Sequence, residues 1–124
     1  MEDARKTYRF NPYLAIYDSP AWHGTICDSR VWSWIVFNVN IGEETITLES
    51  GHPVAPGEVF TTYSEIAEEI SWVEGRGVRT PSRSTISDTL DRLESMGLVN
   101  VLRTDGGTYI QVCEILKRFR HKWR

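Results

Sequence analysis

A chain of 124 residues with 40% hydrophobic and 25% charged content suits one globular domain with its own core. No apolar run approaches the roughly 20 residues of a membrane-spanning helix, and the charged start MEDARK leads into no signal-like core, so a cytoplasmic protein with no membrane partner is expected. The net charge of −3 argues against a uniformly basic surface, so any binding of an acidic partner must come from local polarity.

Taken in order, residues 1–27 are aromatic and irregular, with Tyr8, Phe10, Tyr13, Tyr17 and Trp22, and with Pro12 and Pro20 as helix breakers. They read as an extension that packs on the domain. Arg5, Lys6 and Arg9 are either a solvated terminus or a basic arm on phosphate. Asp28 is a good N-cap for a first helix over 29–41, which is apolar almost all round. Val31, Ile35 and Val39 share one face, and Trp34, Phe37 and Ile41 share another. Such a helix is buried on more than one side, covered either by the N-terminal aromatics or by a second copy in a homodimer.

Gly42 is expected to end that helix. Thr45–Leu48 then alternates like a strand, residues 50–53 turn, and Val54–Thr61 can return as its partner around Pro56-Gly57. Thr62-x-x-Glu65 is a capping box opening a second helix over 63–72. Its inward stripe is Ile66, Ala67 and Ile70, and its outward face is acidic. The segment from Val73 to Arg79, with Gly75 and Gly77, reads as a long loop. Arg76, Arg79 and Arg83 either lie in solvent or form a phosphate clamp beside the next helix.

That next helix, over 83–96, carries the clearest signals in the chain. Thr80 or Ser82 can cap it, and Pro81 is tolerated only at such a start. Ile86, Leu90 and Leu93 recur at helical spacing, Met96 lies a turn further on, and Gly97 is a left-handed C-cap. Arg83, Ser84, Ser87, Asp88 and Asp91 form its outer face. Arg92 can pair with Asp88 or Asp91 along the helix. A strand over 98–102, a turn at Asp105-Gly106-Gly107 and a strand over 108–112 follow. Residues 114–124 read as a basic amphipathic helix: a packing element, a DNA-backbone contact or a link to a partner. The expected fold is α+β, mostly α, with an extension over 1–27, a domain over 28–112 and a terminal helix within 113–124.

Ser82-Arg83-Ser84-Thr85-Ile86, Leu90-Asp91-Arg92-Leu93-Glu94 and Gly97-Leu98-Val99 resemble the recognition-helix signature of bacterial and phage winged-helix proteins. The pattern is similar to that of multiple-antibiotic-resistance-type regulators. With the segment Pro56–Thr62 it looks closer still to winged-helix domains of phage and plasmid replication initiators. The resemblance covers about residues 29–112. It implies a winged helix-turn-helix, with a three-helix core and a β-hairpin wing at about 99–112.

Function follows from charge and from that resemblance. Residues 41–75 hold eight acids and no Lys or Arg, whereas 76–103 hold five arginines against three acids and 104–124 five bases against two acids. The basic half coincides with the recognition helix, wing and tail. The leading expectation is double-stranded DNA binding, in transcription regulation or replication initiation. Ser82, Arg83, Ser84, Thr85 and Ser87 are the candidate readers, and Arg76, Arg79, Arg103, Thr104 and Thr108 the candidate phosphate holders. Asp88 stands where related regulators carry a basic residue, and Asp105-Gly106-Gly107 where their wing tip carries arginine. A winged helix turned to protein binding, as a phage-encoded inhibitor or an assembly adaptor, is the alternative. No nucleophile elbow, phosphate loop or metal-ligand spacing occurs, so no enzyme, cofactor or metal is expected. Cys27 and Cys113 read as free thiols, and His23, His52 and His121 are scattered.

Overall fold

The computed structural model describes Ile16 and residues 19–113. The aromatics Tyr8–Tyr17, the basic arm and the terminal helix over 114–124 lie outside the described residues. Among the described residues the chain is a small α+β domain with three α-helices: α1 (Ile26–Asn38), α2 (Tyr63–Glu69) and α3 (Arg83–Ser95). Seven short strands pair antiparallel: β1 (Ile46–Thr47) with β2 (Pro53–Val54), and β4 (Trp72–Glu74) with β5 (Gly77–Arg79). β3 (Glu58–Thr61), β7 (Gly107–Val112) and β6 (Val99–Thr104) form a sheet in that order. No described helix is long and apolar enough to cross a membrane.

Helix α1 begins three residues before the expected start. Thr25, not Asp28, is its N-cap: the Thr25 hydroxyl accepts the Asp28 N–H, and the Asp28 carboxylate accepts the Thr25 N–H, each at 3.0 Å. This reciprocal capping box places Asp28 at the third helical position. Just upstream, Pro20 opens a 3-10 turn (Pro20–His23) capped by Ser19 instead of breaking structure. The helix also ends before Gly42. Val39 is already extended, and the Asn40 N–H leaves the helix for the Glu58 carbonyl at 2.9 Å. The Asn40 amide donates to the carbonyls of Glu44 and Val54, so one side chain ties the chain to the β-rich segment that follows.

The segment after α1 divides differently from expectation. Only residues 46–47 and 53–54 pair with each other, and β3 joins the sheet of β6 and β7. Val59 and Thr61 are buried and pair with the buried Ile110 and Thr108. A strand with alternate residues facing the core gains more there than on an exposed β1. The expected two-stranded wing is therefore a three-stranded sheet.

Helix α2 stops at Glu69, three residues short of its expected end, because Trp72 starts a hairpin. Its capping box is half formed. Thr62 accepts the Glu65 N–H, but the Glu65 carboxylate takes the Thr61 hydroxyl instead of a backbone donor. The long loop expected over 73–79 is the β4–β5 hairpin, closed by a two-residue Gly75-Arg76 turn in which Gly75 has φ +63°. A turn that short needs a positive φ, which glycine adopts without strain.

Helix α3 follows expectation at both ends. Ser82 is the N-cap, and Gly97 takes φ +78° beyond the last turn. Leu98 N–H returns to Leu93 carbonyl at 3.1 Å and Gly97 N–H to Glu94 carbonyl at 3.0 Å, a Schellman closure. Ile86, Leu90, Leu93 and Leu98 are buried and join Ile66 and Ile70 of the α2 segment in one core with Val31, Trp32 and Ile35 of α1. Leu93 has no exposed surface. Replacing it with alanine is expected to cost about 2–5 kcal/mol in a urea titration, through lost burial and a residual cavity.

Candidate functional site

The expected site residues gather around the first turn of α3, but they have different jobs. Ser82 is committed to the cap: its hydroxyl accepts the Thr85 N–H at 3.1 Å and lies 2.9 Å from the Thr85 hydroxyl. Arg83, Ser84 and Asp88 are exposed, whereas Thr85 and Ser87 are half-buried. Of the five candidate readers, Ser82, Arg83 and Ser84 are exposed, and Ser82 is held in the cap. Residues two apart on a helix differ by about 200° in direction, so Arg83 and Thr85 face opposite sides of this turn.

A cleft borders each side. One, of about 310 Å³, lies against the β6–β7 hairpin and is lined by Tyr63, Arg83, Arg103, Thr104 and Thr108. The start of α2, the start of α3 and both strands of the β6–β7 hairpin meet here. Arg103 is held in place by Asp91 at 3.7 Å and lies over the Tyr63 ring at 5.7 Å. Asp91 and Arg103 are both more than half exposed, so the pair is weak and its guanidinium can be given up to another anion. Thr104 donates its hydroxyl to the Gly107 carbonyl at 2.9 Å, which closes the tip of the β6–β7 hairpin. Thr108 is only 6% exposed and contributes mainly as a strand residue opposite Thr61. The Tyr63 hydroxyl is buried and has no hydrogen-bond partner among the described residues.

The other cleft, of about 460 Å³, is lined by Ile26, Trp72, Arg79, Ser82 and Thr85. It separates α3 from the β4–β5 hairpin. Arg79 reaches Glu74 across that hairpin at 3.4 Å, with both side chains largely exposed. Arg76 occupies the turn and is exposed. The three arginines around the α3 start therefore do not converge on one point. Arg76 and Arg79 belong to the β4–β5 side, and Arg83 to the β6–β7 side.

Arg92 belongs to neither cleft, and its pairing differs from expectation. It binds Asp28 of α1, with Nε at 2.9 Å and Nη2 at 2.8 Å from the same carboxylate oxygen, and it donates to the Thr89 hydroxyl at 3.2 Å. Its hydrogen bond to Asp28 raises the guanidinium pKa further above its already high value, so it is charged at every working pH. Asp88 and Asp91 are left for the outer surface, where Asp91 meets Arg103.

The β6–β7 hairpin itself is braced from the β1–β2 segment. The His52 ring stacks on Phe60 at 4.0 Å, and Phe60 meets Tyr109 at 4.8 Å. A Cβ on Gly107 would stand 2.7 Å from the Phe60 ring, so the strand can pass this close only as glycine. Sequence reasoning missed Tyr63 and His52 as contributors to the site. Tyr63 carried a usable signal, being the first residue after the Thr62 cap; His52 carried none, because its role comes from a tertiary stack. Comparison with family models, with curated proteins and with solved structures finds no match to this chain.

The different jobs of Arg92 and Arg83 are measurable. Arg92→Ala strands a carboxylate that is 3% exposed and is expected to lower unfolding free energy by about 1.5–3 kcal/mol, nearer the lower figure because Arg92 itself is 44% exposed. Arg83→Ala is expected to change it by no more than about 0.5 kcal/mol. Paired urea titrations of the two variants check both.

Proposed function

We propose that this chain is a winged helix-turn-helix domain that binds double-stranded DNA, with α3 as its recognition helix and β6–β7 as its wing. The observation that carries the reading is the α3 first turn, with Arg83 exposed on it, bordered by Arg103 of the wing and by Arg79 of the preceding hairpin. A helix entering the major groove meets base edges with its N-terminal residues, and bases on either side hold the backbone. The likeness of the α3 segment to recognition helices of phage and plasmid replication initiators and of multiple-antibiotic-resistance-type regulators supports the same reading.

In this mechanism the Arg83 guanidinium reads a guanine edge or the adjacent phosphate. Arg103 exchanges Asp91 for phosphate, and its place over Tyr63 keeps it aimed at the cleft. Asp88 and Asp105 oppose phosphate, so they hold non-specific affinity down. The acidic outer residues of α2, Glu65, Glu68 and Glu69, belong on the side away from the duplex. Transcription regulation and replication initiation use the same contacts.

A titration of variants on specific and random duplexes at several salt concentrations tests the reading. Arg83→Ala is expected to lose about 1–3 kcal/mol at one base pair and to relax preference there. Arg103→Ala weakens all sequences alike and flattens the salt slope by about one unit. Asp88→Arg raises affinity for random duplex. If the wild type binds no duplex at low salt and Asp88→Arg gains nothing, DNA is the wrong partner.

One observation favours a second reading, a protein-binding module that self-associates through α1. On the outer side of α1, Ile26 is 53% and Phe37 59% exposed, beside an open groove of about 460 Å³ that also includes Trp34. Exposed apolar surface of this kind marks protein interfaces. Under this reading the protein sediments as a dimer, and Ile26→Glu yields monomers. A monomer at high concentration removes it.

A further inference from the structure

Between α2 and α3, where a short turn would suffice, the chain builds the β4–β5 hairpin. Its two faces differ. Trp72 and Arg79 oppose each other on the inner face, and Trp72 lies under the Arg30 guanidinium at 5.2 Å. Arg30 in turn donates to the Ile70 carbonyl at 2.8 Å and the Ser71 carbonyl at 3.2 Å, and the Ser71 and Thr80 hydroxyls meet at 2.9 Å across the base. The hairpin is therefore fastened to α1 at its root. On the outer face stands the cross-strand pair Val73–Val78, 75% and 70% exposed, with Arg76 in the turn beyond it.

Two such valines on a two-stranded ribbon bury little against each other, and threonine would serve β-structure equally well. Their exposure has a use if a partner covers them. The partner's chemistry follows from the surroundings: the hairpin holds Arg76 and Arg79 against Glu74 alone, in a chain whose net charge is −3. The Glu74–Arg79 pair is exposed and weak, so Arg79 can pass to a phosphate. The hairpin also borders the Ser82–Thr85 side of the α3 first turn, opposite the side that meets the wing.

We infer that the β4–β5 hairpin is a second DNA-contacting arm that grips the duplex on the side of α3 away from the wing. Arg76 in the turn holds a backbone phosphate there, the outer-face pair Val73 and Val78 packs on the apolar sugar edges beside it, and Arg79 on the inner face holds a phosphate next to the α3 first turn. The inference rests on the DNA reading of the domain. It adds a contact that neither α3 nor the wing supplies, and it makes the hairpin, not only the wing, a determinant of site length.

The test uses the full chain on a duplex of about 30 base pairs, with anisotropy titrations over a salt series and hydroxyl-radical footprints. Val73→Thr/Val78→Thr keeps branching at Cβ and removes apolar surface. It is expected to bind roughly tenfold more weakly with an unchanged salt slope and a footprint shortened at one end. Arg76→Ala shortens the same end and flattens the salt slope by about one unit. Arg76 lies in an exposed turn, so this variant tests the arm even if the double substitution unfolds the hairpin. Wild-type affinity and footprint in both variants overturn the arm while leaving α3 and the wing as the DNA contact. Failure of the wild type to bind any duplex at low salt overturns the DNA reading and the arm with it. Loss of a sedimenting dimer in the valine variant, with DNA binding intact, assigns the valines to self-association and overturns the arm.

Discussion

The carboxylate of Asp28 holds the helical frame together from one buried point. One oxygen closes the N-terminus of α1 through the Thr25 N–H, and the other receives two donors from Arg92 on α3. Asp28 is 2% exposed, so its charge is tolerable only with such partners. The arrangement fixes where α3 sits against α1 and how far it can roll, because the planar Arg92 fork binds one carboxylate oxygen through Nε and Nη2, and the same Nη2 also donates to Thr89. The apolar stripe of Ile86, Leu90 and Leu93 sets which face is inward, but apolar packing alone is tolerant of small rotations.

The β6–β7 hairpin is held by a different logic. β3 comes from the segment between α1 and α2, yet it pairs with β7, so the sheet is stitched to the helical layer at its far edge as well as through the α3–β6 connection. The Val112 N–H donates to the Gly57 carbonyl at 2.8 Å, and the Gly57 N–H donates to the Asn40 carbonyl, which carries the tie back to the end of α1. The aromatic stack of His52, Phe60 and Tyr109 fills the outer side of the same sheet. The outcome is a hairpin whose base is rigid on both sides and whose tip, at Asp105-Gly106, is free to meet solvent.

What was legible in the sequence was local. Ser82, the Ile86–Leu90–Leu93 spacing and Gly97 specify α3 almost to the residue, because caps and period act within a turn or two. Thr62 marked the start of α2 for the same reason. Thr25-x-x-Asp28 carries the equivalent signal for α1, and Asp28 taken alone as the cap moves the expected start three residues downstream. The alternation Trp72-Val73-Glu74 and Gly77-Val78-Arg79 about Gly75-Arg76 was a hairpin pattern, obscured by the expectation of a loop between two helices. β3 was harder. Val59 and Thr61 alternate correctly for a strand, but local pattern does not name a partner 50 residues away. Within the candidate site, Arg83 and Arg103 were legible from charge and position, whereas the Tyr63 ring and the Asp91 tether depend on packing.

Arg83 and Arg92 show how one residue type on one helix comes to opposite uses. Nine residues at about 100° each put them on opposite faces. One face looks at α1, where a buried carboxylate 64 positions earlier in the chain waits for a forked donor. The other looks outward, where no described residue competes for the Arg83 guanidinium through a hydrogen bond or ion pair. The fate of Arg92 is not written in the local sequence, since Asp88 lies one turn before it and could pair with it along the helix. The fold decides by geometry: it commits Arg92 to structure and sends Asp91 to Arg103. The positive charge left over, at Arg83, is then available at the end of the helix where an anion is already favoured by the backbone.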